Sequence, residues 1–141
     1  MTDPLARFEP LIGHWNLQVG VEGQFSEVGT TTLSWLGQKS FLVMRSDTVE
    51  GGPPSSSAVI GGDGESGMCI ALYHDVRNVS RLYATSFDDG VWRMWRDQEG
   101  FKQRFEARMS EDGNEMKGQW EKNIGEEWQH DFDVIYSRSS Q

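Results

Sequence analysis

Apolar and polar residues alternate along most of this chain, and the last segment shows the pattern most clearly. Side chains of a strand point to opposite sides in turn, so residues 128–136 predict one strand face made of Trp128, His130, Phe132, Val134 and Tyr136. Comparable segments predict strands near residues 14–22, 27–36, 40–49, 57–62, 68–74, 78–87, 91–97, 101–109, 114–121 and 127–137. Glycine-containing turn signals separate most of them, which indicates hairpin connections.

The arrangement predicted from these strands is all-β, a single antiparallel up-and-down barrel of about ten strands. Closing sequential strands into a barrel leaves no exposed sheet edge and encloses space for side chains or a ligand. The segment from Asp3 to Gly13 predicts a short helix, with Asp3 as its cap and Pro4 at its first position. Its apolar side would cover one end of the barrel. Residues 51–57, rich in Gly, Pro and Ser, are expected to form a loop at the barrel mouth.

The amino-acid composition narrows the classes of partner and the cellular location that we expect for the protein. The chain of 141 residues predicts one domain spanning residues 1–141. A net charge of -9 argues against binding nucleic acid or an anionic membrane surface, because such binding needs clustered Lys and Arg. Cys69 is the only cysteine, so no internal disulfide is expected. With no long apolar run and no signal-like start, we expect no membrane span and a cytoplasmic location.

The faces of the individual strands are defined to different degrees. In residues 101–109 the charged side chains must face water, which places Phe101, Gln103, Phe105, Ala107 and Met109 inside. The next strand similarly places Met116, Gly118 and Trp120 inside. Residues 78–87 allow two orientations: if the aromatic face is inward, Arg81 and Tyr83 enter the interior together, and otherwise Arg81 is solvated. Residues 40–49 can also lie either way.

Several phrases of the chain resemble the calycin superfamily, which includes lipocalins, fatty-acid-binding proteins and nitrobindins. A short apolar helix precedes Gly13-His14-Trp15, and Arg138 follows the last strand. The resemblance implies that Trp15 lies at the closed end of the barrel and that Arg138 packs across it. Residues 75–83 (DVRNVSRLY), 87–92 (FDDGVW), 103–105 (QRF) and 128–132 (WQHDF) further resemble an uncharacterised calycin-like family of actinobacteria, over nearly the whole chain. This resemblance implies the barrel and no established activity.

An inward arginine would be the main clue to a ligand, because a buried guanidinium needs a carboxylate, a ligand or water as partner. Arg81-Leu82-Tyr83 has the spacing of the Arg-x-Tyr pair with which fatty-acid-binding proteins hold a carboxylate. An internal acid such as Asp47 could pair with Arg81 instead. The candidate ligand-binding residues are Arg81, Tyr83, Gln103, His130, Trp35, Trp95, Phe105, Trp120 and Phe132.

Three functions are compatible with these features. The favoured one is a binding protein that holds a small hydrophobic or amphipathic ligand, which could be anionic, in the barrel lumen. The second is a haem protein, because nitrobindins bind haem through one histidine and an inward His130 could serve as axial ligand. The third is a small barrel enzyme of the cyclase or isomerase type, although no catalytic motif and no metal-binding spacing is present. No cofactor is predicted under the first function. A homodimer is compatible with all three functions. A barrel filled by its own aromatic side chains would instead favour an interaction or structural role.

Overall fold

The chain folds into a closed antiparallel barrel of ten strands with one short helix, as the alternating pattern predicts. The computed structural model describes residues 3–139. The strands follow each other around the barrel in sequence order, and the first pairs with the last. Their bounds are β1 Gly13–Val21, β2 Gln24–Leu36, β3 Phe41–Thr48, β4 Ser56–Gly62, β5 Cys69–Asp75, β6 Ser80–Asp88, β7 Val91–Arg96, β8 Lys102–Met109, β9 Glu115–Ile124 and β10 Glu127–Arg138.

The helix covers one end of the barrel, which we call the closed end. It is a 3₁₀ helix, Ala6–Leu11, in which Pro10 lacks the amide that a longer α-helical ladder would need. Phe8 and Leu11 are fully buried, and the Phe8 ring lies 6.5 Å from that of Phe87 at the end of β6. The predicted role of this segment as a cover is therefore confirmed.

Arg138 and Trp15 join the two ends of the chain at the closed end. Trp15 is opposite Arg138 in the β1–β10 ladder, and the guanidinium carbon lies 4.1 Å from the centre of the Trp15 ring. The guanidinium also donates to the carbonyl oxygens of Pro10, Ile12 and Gly113, at 2.8–3.2 Å. One side chain thus links the helix, β1, β10 and the β8–β9 turn, and the packing expected of Arg138 and Trp15 is observed.

The closed half of the interior is filled by large apolar side chains. Trp92 packs edge-on against Phe105 at 5.1 Å and also contacts Tyr136 at 6.1 Å, both measured between ring centres. The largest fully buried apolar side chains of the barrel and its helix are Phe8, Leu11, Trp15, Leu33, Leu42, Ile60, Trp92, Phe105 and Met116. Phe105 lies at the middle of the barrel, where its ring centre is 5.0 Å from that of Trp120. Burial raises the pKa of the Tyr136 phenol, which keeps it neutral.

A β-bulge in β10 corrects one predicted strand face. The ladder pairs Phe132 with Trp120 and His130 with Glu121, so Asp131 is an extra residue without a partner. From the bulge toward the closed end, Phe132, Val134 and Tyr136 face inward as predicted. From the bulge toward the open end, the residues that face inward and outward are exchanged. His130 lies on the outer surface, where its Nε2 is 2.9 Å from Asp133 Oδ1. Asp131 forms an ion pair with Lys122 at 3.5 Å. The predicted inward orientation of Trp128 and His130 is therefore wrong.

The two strands whose orientation the pattern left open are settled by their neighbours. In β6 the residues Tyr83, Thr85 and Phe87 are buried, so the aromatic face points inward and carries Arg81 with it. In β3 the even-numbered residues face inward, and Asp47 is exposed beside Arg45. Asp47 is thus on the outer surface and does not pair with Arg81.

Candidate ligand-binding site

At the end of the barrel opposite the helix, which we call the open end, inward side chains are less buried than at the closed end. Five apolar or aromatic side chains face inward on strands around the barrel and are still partly exposed: Val19, Met44, Tyr73, Trp120 and Phe132. The strand registers place these side chains on the inner face, and part of the surface of each is exposed to solvent. The β3–β4 loop lies at this end, as predicted, where Val49 donates to the Val28 carbonyl oxygen at 2.8 Å. We call this accessible space the cup.

Tyr83 and Gln103 form the floor of the cup on one side. The Tyr83 hydroxyl donates to Gln103 Oε1 at 2.6 Å, and both side chains are buried. The Tyr83 ring contacts Trp120 at 5.7 Å and Tyr73 at 6.0 Å between ring centres. Burial raises the pKa of Tyr83, although the nearby guanidiniums of Arg81 and Arg96 oppose this effect. The phenol is therefore a neutral donor at physiological pH.

Arg81 stands above Tyr83 on the same strand face, nearer the open end. Its guanidinium carbon lies 4.6 Å from the centre of the Phe101 ring, in the connection between β7 and β8. No carboxylate lies within ion-pair distance of Arg81 in the part of the chain that the structure describes. The guanidinium also interacts with the Tyr83 side chain, and its stacking on a ring leaves further in-plane N–H donors for an anionic acceptor.

Arg96 is a residue of the site that the sequence pattern missed. In β7 it follows Trp92 and Met94 on the inward face, beside Gln103 of β8. Its Nε is buried and has no hydrogen-bond partner among residues 3–139. The missed signal is the run Val91-Trp92-Arg93-Met94-Trp95-Arg96, which carries an apolar and a basic residue on each face. Trp95 was expected inside, but it faces outward and is 37% exposed, because it pairs with Ala84 and Arg104 on the outer surface.

The barrel wall is open between β6 and β7 near these arginines. Their ladder runs from Asp88–Val91 to Ala84–Trp95 and stops there, whereas β6 remains paired with β5 as far as Ser80. Beyond this point a cavity of about 570 Å³ lies between the strands. We call it the lateral cleft. It is lined by inward residues of both strands, including Arg81, Tyr83 and Arg96, and by outward residues such as Leu72 and Leu82.

The structure divides the nine candidate residues into three groups. Around the cup it brings together Arg81, Tyr83, Gln103, Phe105, Trp120 and Phe132. Trp35 also faces inward, but it lies at the closed end, where Lys39 is 5.7 Å from its ring centre. The third group, Trp95 and His130, lies on the outer surface. An outward His130 does not fit the role of axial ligand to a haem in the lumen. Within the described residues no group of three or more His, Cys, Asp or Glu is placed to hold a metal ion.

Comparison with known proteins identifies the fold. No family model matches the chain, and no curated protein sequence does. Between residues 3 and 139 no helix has the length and apolar character to cross a bilayer. Among solved structures, Rv2717c from M. tuberculosis superposes with a TM-score of 0.66 over 99% of both chains, at 14% sequence identity. At this identity the likeness shows a shared fold, so the chain is a ten-stranded antiparallel barrel similar to that of Rv2717c.

Proposed function

We propose that the protein binds a small apolar or amphipathic molecule in the cup. One observation carries the proposal: aromatic and apolar side chains face the interior at the open end and remain accessible to solvent there. Exposed apolar surface inside a concave site favours a ligand, because its burial removes that surface from water. Tyr83 and Gln103 add a polar position in the floor, which would orient a hydroxyl or carboxyl group of the ligand.

Filling the cup with a larger side chain tests this proposal. Met44 faces the interior and its neighbour Val43 faces outward on the same strand, and both are partly exposed. We expect Met44→Trp to weaken binding of the fluorescent probe 8-anilinonaphthalene-1-sulfonate by about tenfold or more, since a lost apolar contact of 1.4 kcal/mol is tenfold in affinity. Val43→Trp should leave the affinity unchanged.

The measurement is a fluorescence titration of each variant, with far-UV circular dichroism to confirm that both are folded. Equal binding by the two variants would contradict the proposal, because the probe would then sit elsewhere. Native mass spectrometry of protein purified from its own host would complement the titration by identifying any molecule that copurifies. A bound molecule that Met44→Trp excludes and Val43→Trp retains would support the cup as the natural site.

A further inference from the structure

We propose that the lateral cleft between β6 and β7 holds the anionic head of an amphipathic ligand, a carboxylate or phosphate, between Arg81 and Arg96. The inference rests on the proposed function, because the apolar part of the same ligand would lie in the cup. It adds three elements: the charge of the ligand, a residue that recognises it, and its route of entry.

The first argument is the state of the two arginines. A buried guanidinium nitrogen without a partner is costly, and the Nε of Arg96 is in this position. No acid forms an ion pair with either Arg81 or Arg96 anywhere between residues 3 and 139. The one carboxylate in the cleft wall is Asp97, which is exposed to solvent. Two guanidiniums can bind a carboxylate or phosphate through paired, charge-assisted hydrogen bonds.

The second argument comes from the ion pairs that the other basic residues form. The chain has 13 Lys and Arg against 22 Asp and Glu, so acidic partners are abundant. On the outer surface, Arg93 pairs with Glu106 at 3.0 Å and Arg104 with Glu121 at 2.6 Å. Arg93 and Arg96 are on the same strand and differ in the face they occupy. Four basic residues form no ion pair with an acid between residues 3 and 139: Arg81, Arg96, Arg108 and Arg138. Arg108 is exposed to water and Arg138 donates to carbonyl oxygens, whereas Arg81 and Arg96 both face the cleft, where a ligand would supply a negative charge.

The third argument is the path from the cleft to the cup. Tyr83 lines the cleft and its ring contacts Trp120 inside the cup, so the two spaces are adjacent. On the outside the rim of the cleft is apolar: Leu72 and Leu82 oppose each other and are 54% and 58% exposed. An acyl chain that passes this side of the rim would contact apolar side chains, which also include Ile70 and Trp95. We infer that the ligand enters through the wall of the barrel and that its head stays in the cleft.

Matched ligands test the assignment of the head group. Dodecanoate, dodecyl phosphate and dodecanol share one chain and differ in the head, and calorimetry gives the affinity of each. We expect Arg96→Met to weaken binding of the anion by about tenfold or more, the value of one lost charged hydrogen bond, and to leave dodecanol unchanged. Arg93→Met, on the outer face of the same strand, should change neither. Whichever of dodecanoate and dodecyl phosphate binds with the higher affinity identifies the preferred head group as carboxylate or phosphate.

The outcomes separate this inference from the proposed function. If dodecanol and dodecanoate bind the wild type equally and Arg96→Met changes neither, the cup binds apolar chains and the head-group assignment is wrong. If no dodecyl compound binds the wild type, both proposals fail. If Arg96→Met weakens all three ligands equally, Arg96 supports the shape of the cup and recognises no charge, which also overturns the inference.

The route of entry has its own test. Leu82→Glu places an acid at the outer rim of the cleft, and Ile124→Glu places one at the open mouth, where Ile124 is 49% exposed. An added like charge slows the association of an anion that passes it. We expect stopped-flow association of dodecanoate to slow about threefold in Leu82→Glu and to be unaffected in Ile124→Glu. The reverse result would show entry through the mouth and would refute the lateral route.

Discussion

Replacing Arg138 with methionine should remove the link that holds the closed end together. The variant loses hydrogen bonds to three carbonyl oxygens, on the helix, before β1 and in the β8–β9 turn, and it loses the stack on Trp15. The net contribution of a typical hydrogen bond is about 0.5–1.5 kcal/mol. Because these bonds are part-buried or exposed, the three carbonyl partners together account for about 2 kcal/mol. With about 1 kcal/mol for the stack on the ring, we expect a loss of about 3 kcal/mol.

Urea denaturation followed by tryptophan fluorescence measures this loss. At an m-value of about 2 kcal/mol/M, a loss of that size shifts the midpoint by about 1.5 M. Arg138→Lys keeps the charge but lacks the planar fork, so it should recover only part of the stability. Arg108→Met, on the outward face of β8, is the matched control and should change the free energy of unfolding by less than about 0.5 kcal/mol. A loss below about 1 kcal/mol in Arg138→Met, or full stability in Arg138→Lys, would refute the reasoning.

Three further predictions concern the barrel itself. The Asp75 carboxylate accepts hydrogen bonds from the Arg77 guanidinium and, with a smaller effect, from the Tyr73 hydroxyl, and these bonds hold the pKa of Asp75 well below its ordinary value. Its contribution to stability is therefore present above about pH 4 and is lost as pH falls, so the difference in midpoint between wild type and Asp75→Asn should shrink toward pH 2. Gly118→Ala should cost more than about 2 kcal/mol in urea denaturation, because the added Cβ would overlap the Glu106 carbonyl oxygen and the backbone of Ala107. Deletion of Asp131 should leave the far-UV spectrum and the fold intact, since this residue has no ladder partner, whereas deletion of Ile135 should unfold the protein; equal effects would contradict the bulge.

The sequence predicted the barrel and the faces of the regular strands because those strands separate charge from apolar residues. In β8, Lys102 and Arg104 alternate with Gln103 and Phe105, so only one orientation keeps the charges in water. The same reasoning fails in β7, because each of its two faces carries one tryptophan, one other apolar residue and one arginine. Only the pairing with β6 and β8 decides that Trp95 lies outside and Arg96 inside.

The bulge and the cleft were not predictable from periodicity. A bulge adds one residue to a strand and exchanges its faces, and the segment around Asp131 alternates equally well with or without it. The cleft arises where the β6–β7 ladder ends, which depends on the hydrogen bonds of two strands and leaves no periodic pattern in either. The site was therefore predicted in part, through Arg81, Tyr83, Gln103 and the inward aromatics, whereas Arg96 required the structure.

Closure of the barrel between β1 and β10 also governs when the protein can fold during synthesis. Of the ten strands, β1 is synthesised first, but β10, with which it pairs, is synthesised last. Arg138, at the end of β10, also holds the helix against the barrel. Until that last strand leaves the ribosome, β1 and β9 each present an unpaired edge with an apolar inner face, the kind of surface that aggregates. The contacts that complete the native state span almost the whole chain, which places folding in the slow, millisecond-to-second range.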